Sequence, residues 1–458
     1  MTPSRVEYDL MRRPVIRALV RSRWPQFLAQ AGALAGFVFT ILVGLLGTPV
    51  GGANFAIIFV WIAWWTALKL AFIPLGGRAW CSLCPLPMPG EWLQRGALLG
   101  PQGKRWGLGK RWPQRLRGIW LQAGAFVVIG LFSAVTLTQP RVTGWVLLSL
   151  IVIALVMSLI FERRAFCRYL CPIGGFTGLY ANLAPVEVRV RDRAVCAKHT
   201  DKLCYQGCAE GYGCPWNVFP PALEENAYCG LCFECLRTCP KDNIAVNLRP
   251  FGSDVGQRPS RRLDEAAMAL AMLSSALTFA VVFLGPWGQV KMAAYSIGTR
   301  AWLGYALIFL IFTLLVLPGL FFLAVRLGQA VSGSTQPMRQ ALATQAQALV
   351  PLGLAIWIAF TLAFALVKLP YVLTVISDPL ALGWNLFGTA HLVNFPGLSA
   401  ISAVLEVMVL GVGLFWSTRV ACRVAEIDTT AKTSRRQALP VIGFCLLIGL
   451  SMLWLLVG

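Results

Sequence analysis

Two histidines in 458 residues rule out several kinds of redox protein. His199 lies in a cysteine-rich stretch and His391 in a late loop. No pair is therefore placed to clamp a haem b inside a helix bundle. The C-x-x-C-H signature of attached c-type haem is absent. No G-x-G-x-x-G or Walker loop stands in a strand-to-helix setting, which argues against a nucleotide cofactor. Charge is scarce as well: 13% of residues are charged and 57% hydrophobic, too apolar for a soluble domain. Acids are scarcest, 19 against 40 basic residues, and the net charge is +21. That excess does not point to nucleic acid. It gathers in the N-terminal tail (Arg5, Arg12, Arg13, Arg17, Arg21, Arg23) and between Arg78 and Arg117. Both segments flank apolar runs, so membrane orientation and anionic lipid headgroups are the simpler explanation.

Against these shortages stand long apolar windows and 14 cysteines. About nine windows have the roughly 18 apolar residues that read as membrane helices. They fall near 27–47, 53–75, 118–138, 143–161, 266–286, 301–325, 346–368, 397–417 and 439–457. The expected fold is an all-α polytopic membrane protein with a small bacterial-ferredoxin-like domain inserted. Its parts are a basic tail (1–26), a four-helix membrane domain (27–161), a ferredoxin-like domain (162–262) and a five-helix membrane domain (263–458). Positive-inside bias puts the tail, the loop after residue 76 and the ferredoxin-like domain in the cytoplasm of a bacterial inner-membrane protein. An odd helix count then leaves the C-terminus in the periplasm.

The ferredoxin-like domain is read from Cys229, Cys232, Cys235 and Cys239-Pro240. This is C-x2-C-x2-C-x3-C-P, the bacterial run for a 4Fe–4S cluster, whose fourth cysteine serves the neighbouring cluster in two-cluster ferredoxins. Cys196, Cys204, Cys208 and Cys214-Pro215 repeat the order with wider spacings. Cross-ligation assigns Cys229, Cys232, Cys235 and Cys214 to one 4Fe–4S cluster and Cys196, Cys204, Cys208 and Cys239 to the other. Zinc or disulfides are the bland alternatives. Structural zinc needs no such exchange, and a cytoplasmic location disfavours disulfides.

Two further pairs stand after membrane windows. Arg78-Ala79-Trp80-Cys81 leads to Cys84-Pro85, and Arg164-Ala165-Phe166-Cys167 leads to Cys171-Pro172. The repetition suggests two hairpins about a pseudo-twofold axis, with the four thiols converging at the membrane surface. A third cluster, a thiolate-bound metal, a dithiol redox pair and plain packing are the readings open to them. Residues 20–250, through these motifs and the Cys229 run, resemble the NapH/NosR/CcoG group of membrane-bound polyferredoxins. The resemblance implies an electron carrier between the quinone pool or a cytoplasmic donor and a respiratory or periplasmic oxidoreductase partner. It also allows an assembly factor that reduces a metal or cofactor for another enzyme, as in the CcoG branch. The first motif has two residues between its cysteines where the group commonly has three. No Ser/Thr-Gly-Ala-Thr sequence for covalent flavin of the NosR type occurs.

Beyond residue 263 the sequence is mostly plain apolar helix, with Pro318, Pro351 and Pro370 as expected kinks. Glu406 falls mid-window as a candidate proton relay or quinone ligand, or as a helix-to-helix hydrogen bond. It is also the residue on which an ion-translocating or scaffolding role would rest. Lys69 reads as a snorkelling side chain. The loop from Lys368 to Pro396, with Trp384, Phe387, His391 and Phe395, reads as a periplasmic docking surface. Cys422 and Cys445 read as packing.

Overall fold

A computed structural model describes residues 8–100, 106–198, 200–257, 260, 262–391, 398–427 and 431–457. His199 and Phe395 lie outside them. The chain divides into two compact units, Met1–Phe39, Ala71–Leu121 and Leu147–Asp254 in one, and Thr40–Leu70, Gln122–Val146 and Val255–Gly458 in the other.

Among the described residues eight helices are long and apolar enough to cross a membrane. They are Trp24–Leu46, Phe55–Gly76, Pro140–Ile160, Leu263–Phe283, Arg300–Ser332, Met338–Ser377, Ile401–Glu426 and Thr433–Val457. The protein is thus a helical, multi-pass membrane protein. The window at 118–138 departs from the expected nine. It becomes Trp120–Leu131 and Ser133–Thr136, interrupted at Phe132. Thr136 and Thr138 turn their hydroxyls back onto the carbonyls of Phe132 and Ala134, at 2.9 and 2.7 Å. Such back-bonding competes with a regular helix, and Pro140 opens the next one.

The first unit holds the polar chemistry. Its sheet has three strands in the order β1-β3-β2: β1 (Tyr8–Asp9), β2 (Val186–Val190) and β3 (Ile244–Leu248), all antiparallel. Alternation in β2 and β3 turns Val188, Ile244 and Val246 onto a core shared with Leu231 and Leu236. The basic tail joins that core. Met11 is buried in it, with Leu10, Ile16 and Val20 packed alongside. Arg21 pairs with Asp242 at 2.6 Å, Arg17 pairs with the same carboxylate, and Arg23 reaches the buried Glu234 at 3.0 Å. Arg237 donates to the carbonyls of Val20, Arg21 and Ser22 at the end of helix Pro14–Arg21. Cations suit that end of a helix, where carbonyls lack partners. Arg17, Arg21 and Arg23 are thus tied to carboxylates of the first unit.

In the second unit, helices Leu349–Ser377 and Leu398–Glu426 approach closely. A Cβ added at Gly413 would come 2.3 Å from that of Ala355, so only glycine fits. Near Pro351 a hydroxyl enters the helix ladder: Leu352 N–H donates to Ser417 Oγ (3.0 Å), which donates to Ala348 O (2.6 Å). Glu406 is buried and accepts from Ser402 one turn earlier in its own helix. Lys69 corrects the snorkelling expectation. It is 1% exposed, its ammonium 5.1 Å from the ring centres of Trp65 and Trp357 and 6.0 Å from that of Phe360. The chain around it winds in wide π-turns, Ile58–Trp64 and Leu68–Phe72. Such turns shift the phase of a helix, and here Lys69 sits on an inward face where aromatic rings take the place of water. The late loop also starts further on than expected. Helix Leu349–Ser377 runs through Lys368 and Pro370, and Asp378 then receives the N–H groups of Leu382 and Gly383. Leu382, Leu386 and Phe387 are exposed there.

Candidate iron–sulfur sites

The Cys229 run forms a cup. Cys229, Cys232 and Cys235 line a small cavity together with Cys214 and Trp216. Cys214 is the cysteine that cross-ligation assigns to them. Leu231 and Phe233 hold positive φ angles of 49° and 61°, unusual for residues with a Cβ. This twist turns main-chain N–H groups toward sulfur: Leu231 donates to Cys229 and Glu234 to Cys232. Trp216 and Val218 donate to Cys214 in the same way. Rows of inward N–H groups are a feature of anion and iron–sulfur sites. Burial pushes the thiols up, Cys229 to about 11 and Cys232 to about 12. Both therefore stay protonated until metal displaces the protons. Four convergent sulfurs, their N–H donors and an unpartnered buried indole N–H on Trp216 fit a 4Fe–4S cluster.

The second set gathers at the far end of the run. Burial raises Cys204 to about 11, with Cys239 and Cys196 as its next influences. Asn243 bridges two of these sulfurs, its side-chain amide 3.2 Å from Cys196 Sγ and its main-chain N–H 3.3 Å from Cys239 Sγ. Cys208 follows helix Leu203–Gln206 and is pinned by a main-chain bond from its N–H to Gly211 O at 2.7 Å. Asn243 went unnoticed in the sequence, where only its place after the C-P pair marks it.

The two Cys–Pro motifs do meet. Cys81, Cys167 and Cys171 share one buried core with Trp216 and Cys232. The Cys84 thiol is pushed up by burial, then by Cys171 and Cys81, and Cys167 by burial, then by Cys171. Cys81 Sγ lies 3.3 Å from Thr177 Oγ1, and Cys171 Sγ accepts the N–H of Gly174 at 3.3 Å. Among the described residues, no three His, Cys, Asp or Glu side chains close around a single ion.

The lead-in arginines cross over. Arg164, before Cys167, donates to Cys81 O at 2.6 Å, and Arg78, before Cys81, donates to Cys167 O at 3.5 Å. Each motif's arginine thus ties down the main chain of the other motif's first cysteine. Arg164 is balanced by Glu91, which accepts from its Nε at 2.9 Å and from a terminal nitrogen at 2.5 Å, and also from Arg95. Arg164 and Glu91 are 2% and 4% exposed, so breaking the pair strands a buried charge. Glu91→Ala should cost about 3–5 kcal/mol of stability. Thermal unfolding in detergent would read this, and an unchanged midpoint would reject the pairing as a structural clasp.

A family model described as a 4Fe–4S binding domain matches residues 57–118 and 143–190. Each matched segment carries one Cys–Pro motif, and the match ends before Cys196. Beside eight helices long and apolar enough to cross a membrane among the described residues, the chain thus carries a match to a 4Fe–4S binding domain. It is similar to the methylamine utilization ferredoxin-type protein MauN of Paracoccus denitrificans, 27% identical over 174 residues, 34% of this chain and 55% of the relative. It is 28% identical over 174 residues to MauN of Methylorubrum extorquens, covering 34% and 54%. An uncharacterized protein of Methanocaldococcus jannaschii is 29% identical over 101 residues, 22% of this chain and 38% of the relative. The chain spans about half the length of the MauN relatives it matches. No solved structure matches.

Proposed function

We propose that this protein carries electrons through three 4Fe–4S sites, between a quinone or cytoplasmic donor and a membrane or periplasmic oxidoreductase. The observation behind it is the shared core in which Cys81, Cys167 and Cys171 pack with Cys232 and, at its edge, Cys214. Three of the Cys–Pro thiols and two sulfurs of the ferredoxin cup thus belong to one buried cluster. Such clusters supply one-electron transfer when bound. The chain's part is to hold sulfur at fixed places, donate N–H groups to it and exclude water. The Cys–Pro pocket is the third site, Cys214 with the Cys229 run the second, and Cys196, Cys204, Cys208 and Cys239 the outermost. The ferredoxin-like domain is assigned to the cytoplasmic side on the positive-inside pattern.

Iron and acid-labile sulfide per purified chain, with low-temperature EPR, test this reading. About twelve irons and three reducible centres are expected. About eight irons would remove the third site, and iron-free protein after anaerobic reconstitution would remove all three. Purification from its host membrane in a stoichiometric oxidoreductase complex would favour the carrier over an assembly factor.

A further inference from the structure

Trp216 follows Cys214-Pro215 and is 1% exposed, one of the largest fully buried side chains. Among the described residues its indole N–H has no hydrogen-bond partner. Leaving a buried donor unpaired is costly, and an unmet one needs a reason. The ring lines the cavity of Cys214, Cys229, Cys232 and Cys235, and it packs in the core with Cys81, Cys167 and Cys171. Its other neighbour is Arg78, whose guanidinium carbon lies 4.2 Å from the ring centre. The N–H edge faces the ferredoxin loop: a Cβ built on Gly230 would stand 1.8 Å from Nε1. Glycine between Cys229 and Leu231 is thus what lets the indole edge reach the cup.

We infer that Trp216 is a positioning residue whose indole N–H donates to a sulfur of the cluster held by Cys214, Cys229, Cys232 and Cys235. This rests on the assignment of a cluster to that cup. Reduction adds one electron and breaks no bond, so the reduced cluster is the more negative and gains more from the donor. The N–H therefore raises the reduction potential of this cluster. Cys214, beside the donor, is the fourth ligand of the cup, so the tuning acts where that cup adjoins the Cys–Pro thiols.

Redox titration of the full chain in detergent, monitored by EPR, tests it with Trp216→Phe, which keeps a ring and loses the N–H. The potential of this one cluster should fall, shifting its oxidised-to-reduced ratio by about tenfold at fixed potential, about 59 mV for one electron. The other signals should stay. A cluster present in both proteins at one potential overturns the inference alone. Absence of that cluster from the unsubstituted protein overturns the cup assignment with it. A measurement without substitution guards against misfolding of the variant. Protein grown with indole-15N tryptophan should show a 15N hyperfine coupling to the reduced cluster, and its absence overturns the hydrogen bond.

Discussion

Replacing Cys81 and Cys171 together by alanine should strip about four irons from each chain, a third of about twelve, and leave both ferredoxin-type signals in place. One cysteine is drawn from each motif because a single vacancy can be filled by solvent or another ligand. Both side chains are buried in the same core. Arg164 grips the carbonyl of Cys81, not its sulfur, so alanine keeps that tie. The loss should therefore report on metal and not on collapse of the hairpins. Unchanged iron would mean that the pocket holds no cluster. Two extra thiols titrating only after reduction of the unsubstituted protein would point instead to a dithiol pair.

The other large effect separates the two ferredoxin sets. Cys214→Ala should abolish the signal of the cup formed with Cys229, Cys232 and Cys235, sparing the cluster of Cys196, Cys204 and Cys208. Cys239→Ala should do the reverse. The first follows from Cys214 on the wall of the cup, the second from Asn243, which joins Cys239 to Cys196. Low-temperature EPR of each variant decides, because clusters with different surroundings give separable spectra and potentials. If Cys239→Ala erased the Cys229 signal first, the exchange would be wrong.

What could be read in the sequence was what is local. The Cys229 run announces itself because a cube needs sulfurs at short intervals, and the repeated Arg-Ala-aromatic-Cys announces a pairing. The apolar windows located the helices to within about three residues up to Leu263–Phe283. The later helices run up to nine residues past their windows, and the 118–138 window broke where Thr136 and Thr138 turn back on their own backbone. What stayed hidden was long-range. Arg78 meets Ala227 across 149 residues and Arg164 meets Glu91 across 73, and no spacing rule connects them. Trp216 and Asn243 carry no signature beyond standing near a C-P pair. The burial of Lys69 was not legible either, because its place in the sequence near an end of the helix says nothing about the direction that two π-turns give it.

The pairing of the tail with the ferredoxin sheet also governs the order in which the molecule can be finished. Arg17 and its partner Asp242 are 225 residues apart. At about 5–20 residues per second, the ribosome makes the first strand roughly 10–45 s before the strand it must join. Three long apolar helices, Trp24–Leu46, Phe55–Gly76 and Pro140–Ile160, have to enter the bilayer in the interval. Until β3 arrives, Leu10, Met11, Ile16 and Val20 have no core to enter. The tail is then a sticky, positively charged leader waiting at the membrane, and the sheet closes only after insertion succeeds. A ferredoxin piece cut out at residue 162 would lack this edge strand and the arginines that hold Asp242 and Glu234, and would fold as an incomplete cup.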